Sequence, residues 1–119
     1  MKESDTVTIS VFESTGSSLC VASGDGEKVY RRIARALAEG LPTKLSFRNV
    51  NTLTSAFLNA AIGQLYGTFD ENQIRALLSV ENIEPDDREL LKRVVDTAKL
   101  YFRNKEAFEQ AFQEIEDDS

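Results

Sequence analysis

The residues with the clearest chemical potential stand in one short polar stretch. Thr54 and Ser55 fall where an extended segment gives way to a helical one, and Asn49, Asn51 and Thr52 lead into them. A hydroxyl in the first turn of a helix lies near unpaired backbone N–H groups and the positive end of the helix dipole. A phosphate placed there is stabilised locally and adds about −1.5 to −2 of charge to an uncharged loop. The same two side chains also fit the ordinary task of capping a helix. A second group is Ser23-Gly-Asp-Gly26, ahead of a segment whose polar face carries Lys28, Arg31, Arg32 and Arg35. Gly24 and Gly26 with Arg31, Arg32 and Arg35 are the candidates for holding a nucleotide phosphate or another small anion, because guanidinium forks grip such groups. The stretch lacks the Gly-Lys-Ser/Thr of a phosphate loop and the third glycine of a dinucleotide fingerprint. A simple turn followed by a solvated face is the commoner explanation of such a stretch.

Much chemistry is excluded by composition. The chain has no histidine and one cysteine, Cys20, so it has no histidine-based triad, no Cys–His dyad and no internal disulfide. Cys20 sits in an apolar run and is expected in the core. Glu81, Glu84, Asp86 and Asp87 surround Pro85 without the ligand spacing of a calcium loop, and Asp86 and Asp87 suit the start of a helix. No metal, cofactor or catalytic residue is expected. Twenty acidic against 14 basic residues give a net charge of −6, which argues against binding to a nucleic-acid backbone. The first residues are polar and acidic, and no apolar run reaches the ~20 residues of a membrane helix. A cytoplasmic protein is expected.

Hydrophobic periodicity supplies the elements that must position these residues. Val7, Ile9 and Val11 alternate with Thr and Ser over Thr6 to Phe12, which predicts a strand, and Ser14 to Ser18 predicts a turn. Leu19 to Ala22 is a candidate second strand. From Glu27 to Glu39, Val29, Ile33 and Leu37 recur every four residues, which predicts a helix capped by Ser23 or Asp25 and closed by Gly40. Thr43 to Val50 alternates again with Leu45 and Phe47 inward. Thr52 to Tyr66 predicts a helix with Phe57, Leu58, Ala61, Ile62 and Leu65 on its apolar face, stopped by Gly67. Asp70 to Arg75 predicts a helical turn, and Ala76 to Val80 a buried strand. Pro85 opens a long helix with Leu91, Val94, Val95, Ala98, Tyr101 and Phe102 in its stripe. A second C-terminal helix is expected over Lys105 to Ile115, with Phe108, Phe112 and Ile115 packed inward or forming an edge for a partner. Residues 116–119 are expected to fray.

Strands alternating with helices predict one α/β domain over 1–119: a single small mixed sheet of about four strands, covered by helices, with two helices at the C-terminus. The stretch from Lys44 to Gly63, in which Phe47 and Val50 end a strand and Ser55 and Phe57 open a helix, resembles the central strand–loop–helix of STAS domains. It is closest to the small bacterial STAS-like domains of unknown function, related in fold to anti-sigma-factor antagonists. Leu77 to Asn82 and the long helix after it continue the likeness, which spans Thr43 to Phe102. The resemblance implies a non-enzymatic regulatory domain whose helix-opening serine, Ser55, is phosphorylated by a partner kinase of the histidine-kinase-like ATPase fold. It also implies that Asn49, Asn51, Thr52, Thr54 and Phe57 contact that partner. Thr54 stands where the family has an acidic residue, and Ser46 where the STAS-like pattern has Asp. A different class remains open beside it: a small-molecule or nucleotide sensor using the basic face of the first helix. Pairing with a second copy is also left open.

Overall fold

The computed structural model describes residues 6–118, with side chains over 6–104. Strand β1 (Val7–Ser10) pairs in parallel with β3 (Thr43–Ser46), which pairs in parallel with β5 (Leu78–Glu81), in the order β1-β3-β5. Ile9 lies beside Leu45, and Leu45 beside Val80. A separate parallel ladder joins β2 (Leu19–Cys20) to β4 (Thr52–Leu53). Two small parallel sheets therefore replace the expected single mixed sheet of about four strands. Parallel neighbours cannot be joined by hairpins, so helices cross between them. Helix α2 (Ser23–Ala38) lies between β1 and β3. Helices α3 (Ser55–Ala61) and α4 (Glu71–Leu77), with a 3-10 turn over Gly63–Gly67, lie between β3 and β5.

The sheet splits because the first strand is short. The expected strand to Phe12 ends at Ser10, and helix α1 (Val11–Thr15) replaces the expected turn. The Ser10 hydroxyl accepts from the Glu13 N–H at 3.1 Å, and Gly16 closes the helix at φ 74°. Ser10 and Glu13 have capping-box spacing, and the reversal carries β2 away from β1.

The core lies between the three-stranded sheet and the helices. Val29, Ile33 and Leu37 of α2, Leu45 of β3, and Phe57 and Leu58 of α3 are fully buried. Helix α5 (Pro85–Asp118) adds Val94 and Ala98. The in-register row Thr8, Lys44 and Ser79 faces the other way and is exposed. Helix α2 begins after Ala22 with no side-chain cap, so neither Ser23 nor Asp25 caps it. It ends as expected, with Gly40 at φ 73°. The helix expected over Thr52 to Tyr66 is divided among β4, α3 and the 3-10 turn, and the strand expected at Ala76 to Val80 lies at Leu78–Glu81. Pro85 and Asp86 open α5 as expected, but the two expected C-terminal helices are one, 34 residues long. Arg103, Asn104 and Lys105 contain no glycine, proline or new cap to stop it. At 1.5 Å per residue it is about 51 Å long. The side chains of Phe108, Phe112 and Ile115 lie outside the described residues, as does any structure at Ser119.

Candidate functional site

The loop from Phe47 to Thr54 leaves β3 at the carboxyl end of the parallel strands, the end where open α/β sheets place their sites. Asn49 turns it through the left-handed region at φ 70°, and the Val50 N–H returns to the Phe47 carbonyl at 3.1 Å. Asn tolerates this conformation better than most residues. The loop is then stitched to β2 and its approach. The N–H groups of Asn51 and Thr52 donate to the Ser18 carbonyl at 2.9 and 3.2 Å, and that of Thr54 to the Cys20 carbonyl at 3.3 Å.

Thr54 is the junction. Its hydroxyl donates to the Val21 carbonyl at 2.8 Å and accepts from the Phe57 N–H at 3.2 Å, so it caps α3 and ties it to β2. Ser55 follows as the first helical residue. It is exposed, and its hydroxyl makes no hydrogen bond among the described residues. Asn49, Asn51 and Thr52 are exposed around it. Phe57 is a correction: its side chain is 0% exposed, so it belongs to the core and offers a partner nothing. In its place the structure brings two side chains that sequence reasoning passed over. Leu19 is 56% exposed and Val21 44%, and the β2–β4 ladder sets Leu19 beside Thr52. A strand of two residues has no alternation to read, which hid their exposure.

Ser46 ends β3 and Asn82 follows β5, at the same end of the sheet as the loop. Ser46 is buried, and its hydroxyl accepts from the Asn82 side chain at 3.3 Å and the Arg48 N–H at 3.4 Å. Asn82 is left-handed at φ 59°. Both non-glycine residues with positive φ among those described, Asn49 and Asn82, thus stand at this end of the sheet, and such backbone clusters at working surfaces. The signal for Asn82 was an asparagine directly after a strand.

The alternative ligand set does not come together. Gly24 and Gly26 sit in the first turn of α2 rather than in a loop, and Gly26 is buried against α3. Arg31 pairs with Glu27 at 3.6 Å and Arg35 with Glu39 at 3.9 Å, both well exposed, and Arg32 is exposed on the same helix. Arg31 borders a cavity of about 350 Å3 with Tyr30 and Thr68, which neither glycine, Arg32 nor Arg35 lines. Cys20 is fully buried, and burial pushes its thiol up from its ordinary pKa. A thiol held protonated is a poor nucleophile. Among the described residues no group of three or more Cys, Asp or Glu could hold a metal ion, and no helix is long and apolar enough to cross a membrane.

Comparison with known proteins gives one family. The model of a STAS-like domain of unknown function matches residues 25–88, from the first turn of α2 through the loop, Ser55 and β5 to the start of α5. No curated protein and no solved structure matches the chain. The matched residues are more than half of the chain and contain the whole Asn49–Ser55 loop. The chain belongs to the STAS-like domains of unknown function.

Proposed function

We propose that the chain is a non-enzymatic, cytoplasmic regulatory domain that works by protein–protein contact, and that Ser55 is its switch. The observation that carries this is the division of labour between Thr54 and Ser55. Capping is done by Thr54, whose hydroxyl accepts from the Phe57 N–H while donating to the Val21 carbonyl, and the Ser55 hydroxyl stays exposed with no partner among the described residues. A serine needed only as a cap has nothing left to do one position further on.

The contact surface is the loop residues Asn49, Asn51, Thr52 and Ser55 with the exposed Leu19 and Val21 beside them. From Phe47 to Ile62 the one charged residue is Arg48. A phosphate on Ser55 brings a double negative charge onto a surface that otherwise buries neutral and apolar groups. Its desolvation on binding opposes the contact, so modification releases the partner. A kinase of the histidine-kinase-like ATPase fold is the partner that family likeness suggests for such a serine. The test is a titration of the co-purified partner with wild-type, Ser55→Ala and Ser55→Glu proteins. Ser55→Ala should bind like the wild type and Ser55→Glu at least about tenfold more weakly, a loss of about 1.4 kcal/mol. Equal affinity for all three overturns the switch.

A further inference from the structure

Two cavities run end to end along the seam between α3 and α5. The first, about 520 Å3, is lined by Ser55, Asn59, Leu90, Arg93 and Thr97 among others. The second, about 370 Å3, shares Asn59 and Thr97 and continues to Tyr101 and Phe102. Together they make one groove along α5 from Leu90 to Tyr101, about 17 Å or three helical turns. Arg93 is the one charged residue in its lining. At its far end Leu100 is 58% and Tyr101 56% exposed, two of the four large apolar side chains most open to solvent among the described residues.

Beyond this groove the α5 backbone stays helical to Asp118. In sequence, Phe108, Phe112 and Ile115 recur at i, i+4 and i+7, the anchor spacing of a helix that lies in a groove. After Lys105 the same stretch has Glu106, Glu109, Glu114, Glu116, Asp117 and Asp118 and no basic residue. It is an acidic amphipathic arm, complementary to a groove marked by Arg93 and free of carboxylates. The arm cannot reach its own groove. Phe112 lies 19 residues past Arg93 on one continuous helix, about 28 Å along the axis.

We propose that the arm of one copy lies in the α3–α5 groove of a second copy, and reciprocally, as an antiparallel two-fold dimer. Setting position 112 opposite Arg93 places the axis midway between them, close to Phe102 and Arg103. This makes an isologous contact and covers Leu100 and Tyr101 at its centre. The net charge of −6 makes two copies repel at long range, so the local match of acidic arm and Arg93 sets the register. The dimer needs no modification of Ser55, but Ser55 lines one end of the groove, so a phosphate there faces the acidic arm and opposes the pairing.

The test is sedimentation equilibrium of the full chain at micromolar to sub-millimolar concentration, with circular dichroism confirming that each variant folds. The wild type should show a monomer–dimer equilibrium. Phe112→Asp should weaken it at least about tenfold. Arg93→Glu should also weaken it, and adding Glu109→Lys and Glu114→Lys to Arg93→Glu should restore it. As a measurement independent of affinity, a mixture of Thr97→Cys and Glu109→Cys chains should form a disulfide between copies on mild oxidation, since native Cys20 is buried and does not compete. A wild type that stays monomeric throughout, or a dimer indifferent to both Phe112→Asp and Arg93→Glu, overturns the proposal.

Discussion

The Thr54 hydroxyl bridges two elements 33 residues apart in sequence, donating to the Val21 carbonyl at 2.8 Å while holding the Phe57 N–H at 3.2 Å. One side chain thus fixes where α3 begins and how the β2 strand lies against it. Removing it leaves an unpaired carbonyl and an unpaired N–H. Thr54→Ala should cost about 1–2 kcal/mol in urea unfolding, with Thr54→Ser recovering most of it. Ser55→Ala should change stability by less than about 0.5 kcal/mol, because its hydroxyl is exposed. A large loss at Ser55 would make it a structural cap.

Gly26 makes the other close approach to α3. A Cβ there would stand 2.5 Å from the Phe57 carbonyl oxygen and 2.8 Å from the Ala60 Cβ. The obstacle is backbone, which cannot swing aside, so Gly26→Ala should destabilise by roughly 1–3 kcal/mol. A Cβ at Gly24 would meet nothing within 4 Å, and Gly24→Ala should be neutral or stabilising by about 0.5–1 kcal/mol. Thermal unfolding of the pair separates close packing from a phosphate loop, for which both glycines would matter alike.

Leu19 and Val21 are exposed and neither belongs to the buried core. Leu19→Asp and Val21→Asp should leave the unfolding free energy within about 0.5 kcal/mol of wild type. Each should nevertheless weaken partner binding, measured by calorimetry, about as much as Ser55→Glu does. Unchanged binding would remove this edge from the contact surface.

Burial raises the Cys20 pKa, so the folded thiol keeps its proton where the unfolded thiol has lost it. The unfolded state then binds fewer protons, and stability falls as pH rises past the usual thiol value of about 8.5. Tyr66, also raised by burial, acts in the same sense above about pH 10. Urea midpoints measured from about pH 7 to pH 9.5 should decline, and Cys20→Ala should flatten that decline. A wild-type curve that rises over this range contradicts the buried, protonated thiol.

What was legible in the sequence was local. The four-residue recurrence of Val29, Ile33 and Leu37, the stop at Gly40 and the inward Leu45 and Phe47 all stand as read, because each is set by near neighbours. Pairing between strands is not local, so nothing in Leu19–Cys20 announced β4 as its partner. Val11 continued the alternation of Val7 and Ile9 and masked the helix that Ser10 caps. At the site, Thr54 and Ser55 were found by their place at a helix start, yet the sequence could not divide capping from exposure between them. Phe57 was a contact through family likeness alone, whereas its periodicity with Leu58 and Ala61 set it on the apolar face, where it is buried. The glycines of Ser23-Gly-Asp-Gly26 had the composition of a turn, but tertiary packing uses Gly26 for helix contact.

The most direct measurement of the central claim is phosphopeptide mass spectrometry on the protein recovered from its native cells, with partner occupancy read in the same preparation. The account predicts phosphate on Ser55 and none on the hydrogen-bonded Thr54, with the phosphorylated fraction depleted from the partner-bound pool. Ser55 unmodified under every growth condition, or equal phosphorylation in the free and bound pools, would contradict it.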